Sequence, residues 1–245
     1  MNIALLGYGN MGKEVERLAK EKNITVKKIF TIENNLRAMG ITKEALKEVD
    51  VCIDFSVPTA VVENIKTVAA LGKNMVIGTT GWYDKIAEVE KIVKTNKIGF
   101  LYSPNFSLGM NIFYQILSSA THIFEKFDCY DPAIQETHHR GKTDSPSGTA
   151  LTLAQILIGN IRRKRSMFQE TAHKKLKPEE LHITSTRVGH VVGKHAVIFD
   201  SEADTIELVH TAKNRAGFAM GALIAAEFLK GKKGIYTMKD VITSI

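Results

Sequence analysis

The chain has 245 residues, 44% hydrophobic and 24% charged, with Lys+Arg 33 against Asp+Glu 26. That composition excludes a disordered or fibrous chain, and no run approaches the roughly 20 apolar residues that span a bilayer. The net charge of +7 favours anionic partners without choosing among nucleotides, carboxylates and nucleic acid, while two distant cysteines, Cys52 and Cys129, exclude a disulfide framework and a zinc knuckle and fit a reducing, cytoplasmic compartment.

The first residues are apolar but lack a basic flank and a cleavage site, so they predict a strand over 2–6, not a signal peptide. Gly7-Tyr8-Gly9-Asn10-Met11-Gly12 follows at once, and Val15, Leu18 and Ala19 recur at helical spacing through Lys22. The β-branched run 25–32 predicts a second strand. Strand, glycine turn, helix and strand within about 30 residues make a dinucleotide-binding unit. In such a unit Gly7 serves the tight turn, Gly9 lets a pyrophosphate reach the backbone, and Gly12 lets helix and strand pack closely. The helix N-terminus faces the phosphates.

Glu33 lies at the end of the second predicted strand, roughly twenty positions past Gly12, where an acid accepts the ribose hydroxyls of NAD. The residues after it, Asn34 and Asn35, and the loop residues Tyr8, Asn10 and Met11 are uncharged. A 2′-phosphate would lack a local cation, so NADH is expected to serve at least as well as NADPH.

The alternation continues with strands at 49–55, 74–77 and 99–102 and helices at 59–71 and 84–96. Strands alternating with helices imply a parallel, doubly wound sheet. Ligands bind outside the carboxyl ends of such strands. There the chain carries Asp54-Phe55-Ser56, Gly78-Thr79-Thr80-Gly81 and Ser103-Pro104-Asn105-Phe106, small and polar enough for a nicotinamide and its ribose.

The rhythm then changes. Residues 108–124 predict a long helix, 127–137 a strand, and 149–162 a helix. Runs 182–188, 191–200 and 205–212 lack intervening helices and are expected to pair antiparallel in one sheet. A final helix, 216–230, presents Phe218, Ala222, Ala225, Ala226 and Leu229 on one side and is expected to return to the first domain. The fold class is therefore α/β: an N-terminal Rossmann-type doubly wound parallel sheet, then an α+β domain on a mixed or antiparallel sheet. Domain limits of 1–105 plus 214–245, and of 106–213, follow from that reading.

The densest polar cluster runs from Glu136-Thr137-His138-His139-Arg140-Gly141-Lys142 to Thr143-Asp144-Ser145-Pro146-Ser147-Gly148-Thr149, between a predicted strand and a predicted helix. Two imidazoles, a guanidinium and an ammonium so close together are costly unless an anion joins them. Ser147-Gly148-Thr149 stands at the helix start, where backbone N–H groups and a hydroxyl bind a carboxylate or simply cap the helix. Adjacent histidines on a strand face opposite ways, and no HxH or HxxxH spacing accompanies them, so no metal site is expected. His122, His173, His182, His190, His195 and His210 read as structural.

Glu136-Thr137-His138-His139-x-x-Lys142-x-Asp144-x-Pro146-Ser147-Gly148-Thr149-Ala150 resembles the signature of the dihydrodipicolinate reductase family. The glycine loop, Asp54-Phe55-Ser56, Gly78-Thr79-Thr80-Gly81, Pro104-Asn105-Phe106-Ser107, Arg187-x-Gly189 and Gly193-x-His195 match the family in order, and the resemblance spans essentially the whole chain. It implies hydride transfer from NADH or NADPH to a small cyclic dicarboxylate in diaminopimelate and lysine biosynthesis. It also implies a homotetramer built through the second domain's sheet. By the same resemblance His138 is the acid/base, Lys142 a second proton donor, and His139, Gly148 and Thr149 hold substrate carboxylate. Gly7 to Gly12, Glu33, Gly78 to Thr80 and Ser103 to Phe106 take the cofactor positions.

Two other classes compete. Some two-domain dehydrogenases that act on semialdehydes use a cysteine nucleophile, but Cys52 and Cys129 both lie in strand-like runs and are expected to be buried and inert. A nucleic-acid-binding nucleotide sensor finds footing in Arg162-Arg163-Lys164-Arg165 and Lys174-Lys175-x-Lys177, yet no helix-turn-helix or stacking aromatics accompany those charges. Neither nucleic acid nor membrane is expected as a partner.

Overall fold

Strands of a parallel sheet are buried on both faces, so alternate residues must feed two separate cores. A computed structural model describes residues 1–244 and shows this alternation in the first half of the chain. β1 (Asn2–Leu6), α1 (Asn10–Glu21), β2 (Thr25–Phe30), β3 (Val51–Asp54), α2 (Pro58–Ala70), β4 (Asn74–Ile77), α3 (Ile86–Asn96) and β5 (Gly99–Tyr102) follow in order. Ala4, Leu6, Cys52, Met75, Ile77 and Phe100 pack with Val61, Ile65 and Val68 of α2 and with Val89 and Val93 of α3. Their strand neighbours Ile3, Leu5, Val51, Ile53, Val76 and Leu101 pack on the opposite face with Val15, Leu18 and Ala19 of α1. Each Val, Leu, Ile, Met or Phe among them contributes on the order of 1.5–3 kcal/mol when taken fully out of water.

The chain divides into two units, Met1–Asn111 with Arg215 onward, and Ile112–Asn214. α4 (Leu108–Phe124) begins in one and ends in the other. The second unit continues with β6 (Asp131–His138), α5 (Gly148–Asn160), β7 (Ser166–Phe168), β8 (Glu180–Arg187), β9 (Gly193–Asp200) and β10 (Thr205–Ala212). The chain returns to the first unit through α6 (Ala216–Leu229), β11 (Gly234–Tyr236) and α7 (Met238–Thr243). Ala219, Ala222, Leu223 and Ala226 of α6 complete the core that contains α1.

The first sheet has the order β11-β5-β4-β3-β1-β2 and is parallel throughout. The second has the order β10-β9-β6-β8-β7 and is mixed. β9 and β10 pair antiparallel, as their sequence predicts, but β8 and β9 are not neighbours. β6 lies between them, antiparallel to β9 and parallel to β8. A tight hairpin would have joined β8 to β9. Instead the link 188–192 straddles the end of β6, where the Val188 N–H donates to the His138 carbonyl at 2.9 Å and the Arg140 N–H to the Gly189 carbonyl at 3.3 Å. Around these strands Ile134, Leu153, Leu157, Leu181, Val197 and Phe199 are buried, and Phe124 stacks on Phe199 at 3.8 Å.

The predicted strand 127–137 starts late. The turn that ends α4 winds on through Phe127, whose N–H reaches the Phe124 carbonyl, so β6 begins only at Asp131. Cys129 therefore sits in a turn and is exposed, contrary to the expectation that both cysteines are buried. β7 and β11 were not anticipated because three residues are too few for a periodicity. α7 carried a signal in Thr237-x-x-Asp240, which forms a reciprocal capping box.

Candidate active site

In the first unit the carboxyl ends of β1, β3, β4 and β5 lie side by side, so their loops share one rim of the sheet. Gly7 has φ +91, and a Cβ there would lie 2.3 Å from the Phe55 carbonyl oxygen, so only glycine fits this turn. A Cβ on Gly12 would lie 2.3 Å from the Gly7 carbonyl, as expected of close helix–strand packing. Gly9 is the N-cap of α1; no side chain caps the helix and its first turn carries no acid. A Cβ added at Gly9 meets nothing within 4 Å, so the first amides of α1 face open space. That is the cradle a pyrophosphate needs. Tyr8 does not line it passively: its hydroxyl donates a very short bond to Glu16 and ties the loop to α1.

The neighbouring loops are organised by Asp54, whose side chain is fully buried. It accepts from the Ser56 N–H at 2.9 Å, the Ser56 hydroxyl at 2.7 Å, the Asn64 amide at 2.9 Å and the Thr79 hydroxyl at 2.7 Å. Burial pushes its carboxyl above the ordinary value, against the pull of these donors. Of the predicted cofactor residues, Thr79, Ser103 and Phe106 are buried, with the Thr79 hydroxyl turned to Asp54 and the Ser103 hydroxyl to the Asn105 carbonyl. Thr80 and Pro104 are exposed, Gly78 and Asn105 half-buried. Glu33 is exposed and accepts a very short bond from Thr31, which holds its carboxyl below the usual range.

The second unit builds a polar cluster through strand register. β6 places Glu136 opposite Ser185 of β8 and His195 of β9, and His138 opposite Arg187 of β8. Glu136 and His138 share the buried face of the strand; His139, just past its end, is exposed. Glu136 Oε1 accepts from Arg187 Nη2 at 2.9 Å and from the Ser147 N–H at 3.0 Å. Its Oε2 lies 2.8 Å from His138 Nδ1, in a contact bent away from a linear hydrogen bond, and 3.8 Å from His195 Nε2. Burial alone would raise the Glu136 carboxyl, but the Ser147 and Ser185 hydroxyls, Arg187 and the Ser147 amide outweigh it and bring the pKa down to about 2.

Both imidazoles shift the other way. His138 is pushed below its usual value by burial, with Lys142 and Arg187 adding to the effect and Glu136 and Asp144 opposing it. His195 falls to about 4, again chiefly through burial, then through His138. Its Nε2 lies 3.2 Å from the Ser147 hydroxyl, which in turn accepts from the Ala150 N–H and caps α5. Lys142 pairs with Asp144 at 2.7 Å. Asp144 is held below the usual carboxylate range first by Lys142, and also by the amides of Asp144 and Gly148.

Glu136 and His195 are the residues that sequence reasoning passed over, one without a role and the other as structural. The Glu136-x-His138 spacing on a strand was the available signal. Together Glu136, His138 and His195 bring three potential metal ligands within 4.8 Å of one another. An added cation there would sit beside the Arg187 guanidinium, which already claims Glu136. The chemistry of this donor set therefore favours an internal ion-pair network over a metal.

Each rival loses one of its supports, while Cys129 and the side chains of Arg162, Arg165, Lys174, Lys175 and Lys177 are exposed. Burial pushes the Cys52 thiol up to about 12, so it is not a thiolate at neutral pH. In the basic run, Arg163 donates to the carbonyls of Phe124 and Tyr130, and Lys164, 2% exposed, reaches the Glu180 carbonyl and Asp131. Among the described residues no helix is long and apolar enough to cross a membrane.

Family models described as dihydrodipicolinate reductase, N-terminus and C-terminus, match residues 1–106 and 109–242. A 4-hydroxy-tetrahydrodipicolinate reductase of Christiangramia forsetii is 42% identical over 246 residues, covering 100% of this chain and 99% of the relative. One from Methanocaldococcus jannaschii is 42% identical over 270 residues, covering 99% and 97%. The dipicolinate-bound dihydrodipicolinate reductase of Paenisporosarcina sp. TG-14 shares the fold, with a TM-score of 0.78 at 24% identity over 98% of each chain.

The buried histidines predict acid sensitivity. A histidine whose pKa falls from 6.5 to about 4 on folding lets the unfolded chain take up a proton that the fold refuses. Stability is then lost as pH drops from 6.5 toward 4, by up to about 3 kcal/mol for His195 alone. Urea midpoints measured across this range are expected to fall steeply for the native chain and less steeply for His195→Gln. Equal slopes would show that His195 does not stay neutral in the fold.

Proposed function

Because the chain belongs to the dihydrodipicolinate reductase family, we propose that it is a 4-hydroxy-tetrahydrodipicolinate reductase. It is an NAD(P)H-dependent oxidoreductase of diaminopimelate and lysine biosynthesis that reduces a cyclic dicarboxylate to tetrahydrodipicolinate. The observation that carries this reading beyond the likeness is the cluster of Glu136, His138, His195, Arg187 and Lys142, in a chain whose other unit bears an uncapped glycine-loop helix.

Gly7 to Gly12 would hold the dinucleotide's pyrophosphate, Glu33 a ribose, and the loops Gly78 to Thr80 and Ser103 to Phe106 the nicotinamide end. The reduced nicotinamide supplies the hydride. In the second unit, His139, Gly148 and Thr149 receive a substrate carboxylate and Lys142 adds charge. Asp144 supports this assignment, because a carboxylate already rests against Lys142 and the Gly148 amide. His138 turns Nδ1 toward Glu136, which leaves Nε2 to pass the proton. Lys142, at the rim of the same cluster, is the second donor.

The chain acts in the cytoplasm, in keeping with its two free cysteines. It assembles as a homotetramer through the second sheet, whose edge strand β10 exposes Ile206 and Val209. A solution mass of one 27.1 kDa chain would rule the tetramer out.

The activity is tested by supplying pyruvate and aspartate semialdehyde to the upstream synthase, adding this protein, and following loss of reduced cofactor. Consumption that depends on the synthase product is expected; none would remove the assignment. Run with both cofactors, the assay should give kcat/KM for NADH at least equal to that for NADPH. Glu33 is an ionised acceptor, which suits ribose hydroxyls and repels a 2′-phosphate. A large NADPH preference would overturn the ribose role of Glu33.

A positioned acid contributes about 10²–10⁴-fold in rate. His138→Gln should lower kcat by that order and leave NADH affinity near that of the native chain. A native kcat in the purified variant would take His138 out of the reaction.

A further inference from the structure

We propose that Glu136 is a positioning residue for this reductase: its buried carboxylate holds the His138 ring, the start of α5 and the Lys142 loop in one arrangement. The inference rests on the reading of His138 as the proton-transfer group.

The geometry is that of a hub. Glu136 is 2% exposed, and three separate pieces of the site converge on it. Oε2 faces His138 Nδ1 at 2.8 Å, which favours the tautomer with Nδ1 protonated and leaves Nε2, beside Gly193, as the other ring nitrogen. Oε1 takes the Ser147 N–H at 3.0 Å, immediately before α5 begins, and so fixes the helix start that carries Gly148 and Thr149. Oε1 also takes Arg187 Nη2 at 2.9 Å, and the same Nη2 donates to the Asp144 carbonyl at 2.6 Å. Asp144 holds Lys142. One carboxylate thus touches the first proton donor directly and reaches the second through Arg187 and Asp144.

A carboxylate that merely filled space would need only its own donors. This one leaves unspent capacity: Glu136 Oε2 and His138 Nδ1 are both buried, close, and not linearly bonded. Such contacts tighten when an active site fills. Glu136 also adds negative charge beside a ring that burial drives toward neutrality, so it keeps more of His138 protonated at a given pH. The other charged or titratable groups facing His138 are Arg187 from β8, His195 from β9, and Lys142 and Asp144 from the loop after β6. Among them Asp144 alone shares the sign of Glu136, and it is already paired with Lys142.

The test compares the native chain, Glu136→Gln, Glu136→Asp, His138→Gln and the double variant Glu136→Gln/His138→Gln. Thermal unfolding and NADH affinity are measured first, because loss of a buried ionic partner can destabilise the second unit. Glu136→Gln is expected to lower kcat about tenfold or more. It should also move the alkaline fall of kcat to lower pH by about one unit. Glu136→Asp should restore part of both. Combined with His138→Gln it should cost little further, since two residues acting through one proton transfer are not additive.

A kcat and pH profile unchanged by Glu136→Gln, with His138→Gln slow, overturns the positioning role and leaves the His138 reading intact. A His138→Gln variant as fast as the native chain overturns that reading itself. Fully additive losses with no movement of the pH profile assign Glu136 to structure alone. If Glu136→Gln does not fold, the Asp variant carries the same comparison: a native pH profile in it, at reduced stability, also overturns the proposal.

Discussion

A carboxylate withdrawn from water must find donors for both oxygens, and the second unit is arranged around that demand at Glu136. Leaving such a charge unpaired costs several kcal/mol. The demand is met in full at one oxygen: Oε1 takes Arg187 from β8 and the Ser147 amide ahead of α5, while Oε2 faces His138 on the same strand and His195 from β9 without a linear hydrogen bond. Asp54, in the first unit, shows the alternative. It is buried just as deeply but meets only neutral donors, and its carboxyl is shifted up where that of Glu136 is shifted down to about 2. Hydroxyls are present at both sites; the guanidinium is present at one. Asp54 therefore ties loops together, whereas Glu136 also sets the potential felt by an imidazole.

That difference divides the site residues into those spent on holding shape and those left to meet a ligand. Near the glycine loop, Thr79, Ser103 and Phe106 stand at the rim of the sheet yet direct their side chains inward, so that any contact they make with a cofactor is through backbone. Thr80 and Pro104, beside them, are open to solvent. In the second unit His138, the last residue of β6, is inside and His139, the first residue past the strand, is outside. The adjacent histidines thus enter different surroundings and cannot share a role.

The first sheet was legible in the sequence because its information is local. Parallel strands buried on both faces read as short apolar runs, and every predicted run but β2 was followed by a helix with its own period. Apart from the three-residue edge strand β11, only the ends of strands were misplaced, by a residue or two. The second sheet was less legible because its order depends on which strands meet, and β6 takes partners from β8 and β9 instead of letting them form a hairpin. The partners of Glu136 suffer the same difficulty: Arg187 lies 51 residues away and is joined only by register. The basic run 162–165 is mixed. Locally it looks like a solvated face, and Arg162 and Arg165 are exposed, but Lys164 is buried against Asp131 and the Glu180 carbonyl, and Arg163 closes the end of α4.

The opposing shifts at His138 bear on how an acid can work at neutral pH in a buried place. Burial favours the neutral ring, and Lys142 and Arg187 push the same way. Glu136 and Asp144 push back, yet the net shift is downward, so by itself the cluster holds a ring that is mostly unprotonated at pH 7. A neutral ring is a poor donor. A dicarboxylate brought beside it has the sign of Glu136 and reinforces the protonated form, while pairing with the cations that oppose it. On the proposed reading of His138 as the acid, the charge that lets a dicarboxylate bind also favours loading the proton that the reaction consumes. Such a cluster needs no separate switch: it holds its acid weakly when empty and more firmly when an anion of the right size is present, provided the ring cannot turn away from Nδ1···Oε2 contact while the charge around it changes.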